Sequence, residues 1–258
     1  LGWQRDLWVG LAADAIIAAW LMRRRAPEPI PPRDERRFLA RTSEGLAVVF
    51  VAYVTLGAVL WPWHRTWGTV AADWQLALPG DPPVRHQATE LMHGIAIDAP
   101  DWVVWAWLVQ IGQDRAGFYS YDGLERLFGV DIRNADELRD EWQPRAPGDR
   151  VPATQPGYLG GIFGDRPGWQ VGEVRPCRAL VLDTWGTFAV VPDGPHRSRL
   201  LVRSRIGGPD APVAGAALSF LAFELPHFIM ERGMLRGIKR RAESPRGQIG
   251  ASPCAAVL

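Results

Sequence analysis

Apolar residues are spread unevenly along this chain. Leu46 to Trp63 reads LAVVFVAYVTLGAVLWPW without a charged residue. As a helix this run rises about 27 Å, close to the roughly 30 Å hydrocarbon core of a bilayer. Trp61, Trp63 and Trp67 cluster at one end, where indole rings favour the headgroup interface, and Pro62 helps to stop the helix. Leu7 to Met22 is a weaker apolar stretch, interrupted by Asp14. It reads equally as a short span, an interfacial helix or a helix packed on the second segment. Between the two lie Arg23, Arg24, Arg25, Arg33, Arg36, Arg37 and Arg41. Short basic loops stay cytoplasmic, which predicts that residues 68–258 lie on the extracytoplasmic side.

The pattern changes after the anchor. Residues 68–87 are polar and carry Pro79, Gly80, Asp81, Pro82 and Pro83, so they read as a linker. From residue 88, His93, Ile95 and Ile97 alternate with Met92, Gly94 and Ala96 as in a strand. Asp98-Ala99-Pro100-Asp101 then opens a helix that carries Val104, Trp105, Leu108, Val109 and Ile111 and ends at Gly112. Trp102, Trp105 and Trp107 cannot all face one core. Ser120 to Phe128 is a second short helix, with Leu124, Leu127 and Phe128 expected to face inward. A Gly- and Pro-rich stretch follows. Trp169–Val174, Ala179–Leu182, Trp185–Val191 and Arg199–Ile206 read as antiparallel strands, with Asp193-Gly194 as a hairpin turn. Pro212 to Glu243 is a long helix with Leu218, Leu221, Leu225, Phe228, Ile229 and Leu235 at helical spacing, and Pro226 is expected to kink it. The organisation is a weak hydrophobic segment plus basic loop over 1–45, an anchor over 46–67, a linker over 68–87, a domain over 88–243 and a disordered tail over 244–258.

Composition narrows the function. The 258 residues are 47% hydrophobic and 22% charged, which excludes disorder throughout, and a net charge of +1 offers no field for nucleic acid. Cys177 and Cys254 are too few for a framework, and the loose tail around Cys254 disfavours a disulfide between them. No GxSxG, HExxH or GxxxxGK[ST] motif occurs. His64, His86, His93, His196 and His227 are scattered, and their spacing asks for no metal.

Strand, two short helices, a run of strands and a closing helix is the order of the helix-grip fold. The stretches that carry the likeness are Ile97-Asp98-Ala99-Pro100 before Val104-Trp105-Ala106-Trp107-Leu108, and Gly112-Gln113-Asp114-Arg115-Ala116-Gly117-Phe118-Tyr119-Ser120-Tyr121-Asp122. Trp185-Gly186-Thr187-Phe188, the strand from Ser198 to Arg205 and the terminal Met230 to Arg241 add to it. On these residues the chain resembles the START-like (SRPBCC) superfamily, which includes polyketide cyclases, aromatases and lipid-transfer domains. Trp61-Pro62-Trp63-His64 with Leu78-Pro79-Gly80-Asp81 resembles its bacterial membrane-anchored subgroup. The resemblance spans roughly residues 60–243. It implies an α+β helix-grip fold, a curved antiparallel sheet around a long C-terminal helix, preceded by one or two transmembrane helices.

It also implies a central cavity that binds a hydrophobic small molecule or lipid, with no cofactor. The polar candidates for its rim are Gln110, Arg115, Tyr119 and Tyr121, although Arg115 reads as well as a structural partner of Asp114 or Asp122. On the strand from Arg199, period two sets Leu201, Arg203 and Arg205 on one face and Leu200, Val202 and Ser204 on the other. If the apolar set faces the cavity the arginines are solvated; if Arg203 points inward it needs a ligand carboxylate or Glu224. Met230 and Met234 read as core or cavity lining. Two other functions stay open: a cyclase- or hydrolase-type enzyme using Tyr119 and Asp122 for proton transfer, and an envelope interaction module with a closed, structural interior.

Overall fold

The computed structural model describes residues 42–52, 55, 63–81, 89–162, 164–206 and 224–245. The chain divides into two compact units, Leu1–Trp61 and Pro62–Leu258. In the first, residues 42–52 are helical and Leu46, Val48, Val49, Phe50 and Val51 are all exposed. No helix among the described residues is long and apolar enough to cross a membrane; much of the expected 46–63 span, and all of the 7–22 segment, lie outside them.

The second unit is built on six antiparallel strands: β1 (Thr89–Ile97), β2 (Arg150–Pro152), β3 (Gly168–Arg175), β4 (Ala179–Leu182), β5 (Gly186–Pro192) and β6 (Ser198–Ile206). Their order across the sheet is β1-β6-β5-β4-β3-β2. The long pairing of β1 with β6 closes the meander onto the first strand, with His93 opposite Val202 and Leu91 opposite Ser204. Three helices are described, α1 (Asp101–Val109), α2 (Asp122–Leu127) and α3 (Leu225–Ala242). α3 packs on β1 and α1, and α1 packs on β5 and β6, which gives the helix-grip arrangement.

Alternation decides which residues meet on the two sheet faces. Ile97, Phe188, Val190, Leu200 and Val202 form the inner core with α1 and with Met234, Leu235 and Ile238 of α3. Every residue from Val103 to Val109 is buried, so α1 is apolar all round because it is covered all round. Part of that cover is Arg145, whose guanidinium donates to the carbonyls of Val109 (2.9 Å) and Ile111 (2.6 Å) at the end of α1. Of the three tryptophans, Trp105 and Trp107 are buried and Trp102 is only partly so.

The outer face carries Met92, Ala189 and Leu201, and it is not solvated. Residues 73–81, read from their prolines as linker, lie against it. Leu78 packs with Met92 and Leu201, Thr187 donates its hydroxyl to the Pro79 carbonyl at 2.6 Å, and Arg199 pairs with Asp73 at 2.6 Å.

Two expectations are corrected here. Leu124, Leu127 and Phe128 do not face inward: α2 has no buried residue, and these side chains are 41%, 78% and 66% exposed. A helix of two turns has too few contacts of its own to turn them under. The described part of the last helix begins at Leu225; residues 212–223 of the expected helix, and with them the approach to Pro226, lie outside the described residues. Cys177, in the β3–β4 turn, is disulfide-bonded, and the sequence's other cysteine, Cys254, lies outside the described residues.

Candidate functional site

The inner face of the sheet buries a charged cluster where the first half of α3 crosses β1. His93 alternates with Ile95 and Ile97 and so points inward, toward Glu231 on the buried stripe of α3. His93 Nδ1–H donates to Glu231 Oε1, and Nε2–H donates to the His64 carbonyl at 2.7 Å. Both partners are pure acceptors, so both ring nitrogens carry protons and His93 is an imidazolium. Burial by itself would lower its pKa. The Glu231 charge, the hydrogen bonds to Glu231 and to His64, and the Glu224 charge outweigh that and hold it raised. For Glu231 burial would raise the pKa; the charge of His93 and the hydrogen bonds from His227 and His93 instead hold it far below the usual carboxylate range.

The second oxygen of Glu231 accepts from Trp185 Nε1–H at 2.8 Å and from His227 Nε2–H at 3.1 Å. Three donors therefore satisfy one carboxylate. His227 differs from the others in standing one turn before Glu231 with its side chain about a third exposed. Trp185 links it to a group of rings: its centroid lies 5.3 Å from His227, 4.2 Å from Trp169, 5.1 Å from Phe188 and 5.9 Å from Phe118. Trp185 and Phe188 are buried, whereas Trp169 is only partly covered. An aromatic face thus reaches the surface beside the exposed edge of a histidine.

A second pair stands next to the first. His64 Nε2–H donates to Glu224 at 2.9 Å, Arg65 adds a longer contact of 3.4 Å, and Phe228 packs between His64 and His93. Among the described residues no group of three His, Cys, Asp or Glu side chains is arranged to hold a metal ion.

The residues singled out from sequence fall in several places. Gln110 and Tyr119 do meet, in a buried network: Gln110 Nε2 donates to the Tyr119 hydroxyl at 2.8 Å, which donates to the Trp107 carbonyl at 3.1 Å. Gln110 also accepts from the Arg139 amide and from Gln143, so its partners all lie within the chain. Tyr119 holds a left-handed backbone (φ 56°), tied by its N–H to Asn134 at 2.6 Å, with Arg241 stacked on its ring at 4.7 Å. Tyr119→Phe should destabilise the fold by about 1–3 kcal/mol, read by urea unfolding, because Gln110 loses an acceptor in a dry site. Arg115 bonds neither alternative acid; it donates to the Trp142 and Pro144 carbonyls at 2.8 and 3.0 Å. Asp114 faces Arg166, and Asp122 faces Arg126. Tyr121 is exposed beside α3, Met230 is partly buried, and Met234 is core.

Arg203 follows neither expectation. It is buried, on the outer face, where Asp81 pairs with it at 2.6 Å and the Leu76 carbonyl accepts at 3.0 Å. The 73–81 segment that covers it supplies the partners it needs, and Glu224 is paired with His64 instead. Of the sequence candidates only Glu224 lies next to the charged cluster. His93, His227, Glu231 and Trp185 were missed as a group. The available signals were a histidine in phase with an inner-face strand and a glutamate in phase with the apolar stripe of the last helix.

Several solved structures are similar to this chain. They include a conserved protein of unknown function from Enterococcus faecalis (14% identity, 66% of this chain and 78% of that one, TM-score 0.33). Another is the Zhui aromatase/cyclase from Streptomyces sp. R1128 (17% identity, 61% and 94%, TM-score 0.32). A third is a Polyketide_cyc-like protein from Corynebacterium glutamicum (13% identity, 60% and 91%, TM-score 0.28). No protein-family model and no curated protein matches. The likenesses are loose. The helix-grip assignment itself stands on the sheet order and on the packing of α1 and α3.

Proposed function

We propose that the Pro62–Leu258 unit is a START-like receptor for a hydrophobic small molecule or lipid, held at the extracytoplasmic face of a membrane by the apolar segment before it. One observation carries the binding reading: Trp169, packed on the buried Trp185 and Phe118, stays partly open at the surface, while Glu231 beside them is closed off and satisfied. Rigid aromatic faces supply contact area at little conformational cost, and a few polar groups beside them orient the ligand.

The tether is supported separately. Residues 46–51 expose apolar side chains on every side of their helix, which suits a hydrocarbon surrounding. Within the second unit, Trp63 is 46% exposed, and Arg232 lies 5.7 Å from its ring and 5.1 Å from that of Trp67, with Arg236 at 5.8 Å from Trp67. Indole and guanidinium together suit a headgroup layer. A disulfide at Cys177 suits an oxidising compartment.

A second reading, an enzyme acting on a hydrophobic substrate at the same face, is favoured by the His227–Glu231 pair. The test of the binding reading is native mass spectrometry and solvent extraction of the intact protein taken from membranes. The expected result is a co-purifying apolar molecule whose retention falls at least tenfold in Trp169→Ala, a loss of about 1.4 kcal/mol. An intact protein that carries no such molecule, or carries a protein partner instead, would turn the assignment toward an interaction module.

A further inference from the structure

We infer that Arg232 and Arg236, framed by Trp63 and Trp67, form a docking site for the phosphate groups of anionic phospholipids. This rests on the tether proposed above and gives it a lipid partner of defined charge.

The two arginines stand one turn apart on α3 and share its outer side. The only acid within that helix is Glu231, which is buried and committed to His93, His227 and Trp185. Glu224, just before the helix, is held by His64 and Arg65. Neither Arg232 nor Arg236 has a carboxylate or a hydrogen bond among the described residues, and Arg232 Nε is buried without an acceptor. Their contacts are the indole faces of Trp63 and Trp67. The chain treats other arginines differently: Arg199, Arg203 and Arg241 each meet an aspartate at 2.6 Å. Partial burial, and after it the like charge of Arg236, lower the pKa of Arg232. Two unpaired guanidiniums side by side are a cost that an anion from outside would offset.

The surroundings name the anion. Trp63 and Trp67 pack edge-on against Phe228, with ring centroids 5.6 and 6.4 Å from it. The Trp67 carbonyl accepts from the Gly94 N–H of β1 at 2.9 Å, so the frame is built into the globule rather than hung from it. Trp63, Tyr121 and Ile229 are exposed, and Tyr121 lies against α3 at Gly233, next to Arg232. Amphipathic rings and one aliphatic side chain around a cationic pair match the depth profile of a headgroup layer, where guanidinium forks take phosphate oxygens in pairs. Sequence decides where that phosphate comes from. Trp63 follows the end of the 46–61 apolar run by two residues, so the phosphate plane of a bilayer is the anion the tether keeps nearest.

The test uses the full chain in nanodiscs of equal parts phosphatidylglycerol and phosphatidylcholine with the same acyl chains, and native mass spectrometry counts the lipids it retains. Wild type should keep phosphatidylglycerol in preference. Replacing both arginines, Arg232→Gln with Arg236→Gln, should lower the retained ratio of the two lipids about 30-fold, or about fivefold per arginine, with an unchanged circular dichroism spectrum. Arg232→Lys with Arg236→Lys keeps the charge and should keep most of the preference, which separates charge from any structural effect. A wild type without preference, or a ratio that the glutamine variant leaves unchanged, overturns the site while the tether stands. Displacement of phosphatidylglycerol by excess inorganic phosphate would make this a free-anion site and overturn the lipid assignment. A chain that enters neither mixed nor pure phosphatidylcholine nanodiscs overturns tether and site together.

Discussion

Glu231→Ala should destabilise the protein by about 3–5 kcal/mol, measured by urea unfolding of the intact chain near pH 6. The carboxylate is 2% exposed and accepts from His93, His227 and Trp185. Removing it leaves a buried imidazolium and a buried indole N–H without partners, which costs more than the lost volume. The pH dependence has a definite sign. His93 is raised above its ordinary 6.5, so its share is complete below pH 6.5 and is lost as pH rises through the raised value. Glu231 is lowered below its ordinary 4.5, so its share is complete above pH 4.5 and is lost as pH falls toward the lowered value. The gap between wild type and Glu231→Ala should be widest between pH 4.5 and 6.5 and narrow on either side. A gap that keeps growing above pH 8 would mean that His93 is not the group paired with Glu231.

Gly237→Ala should cost about 3 kcal/mol, at the upper end of overpacking, whereas Gly233→Ala should cost about 1 kcal/mol or less. Both glycines face the 119–121 segment from α3. A Cβ at Gly233 would sit 2.7 Å from Ser120 Oγ and 2.8 Å from Tyr121 Cε2, ends of side chains that can swing aside. A Cβ at Gly237 would overlap the backbone carbonyl of Tyr119 and lie 2.7 Å from its Cβ. That backbone cannot yield, because Asn134 holds its N–H and Arg241 covers the ring. Helix propensity favours alanine by about 1 kcal/mol at each site, which offsets most of the smaller clash and little of the larger one. Thermal denaturation of the two variants side by side would check the ranking. Equal losses would show that the segment moves as freely at 119 as at 121.

Much of the fold could be read from local pattern because its strands alternate and its helices carry stripes. β4 was placed at its observed bounds, and β3, β5 and β6 to within a residue or two, since these are short β-branched and aromatic runs bounded by turn residues such as Asp183 and Asp193-Gly194. The charged cluster was not legible in the same way. His93 and Glu231 are separated by 138 positions, and His64 and Glu224 by 160, so only the closed sheet brings each pair together. Single histidines in scattered elements carry no spacing to recognise. Arg203 was ambiguous for another reason. Strand period gave its face correctly, but the cover over that face comes from a proline-rich stretch whose composition looks like a spacer. Leu124, Leu127 and Phe128 failed on length: helical spacing over six residues says which side is apolar, not whether anything lies against it.

The cover on the outer sheet face also fixes where this protein can be cut. A version begun in the proline-rich stretch would strip Asp73 and Asp81 from Arg199 and Arg203, and would bare Met92 and Leu201 to water. It would also remove the His64 carbonyl that holds His93. Residues 63–81 therefore belong to the globule as a strandless layer of cladding, and a cut meant to isolate it belongs upstream of Trp63.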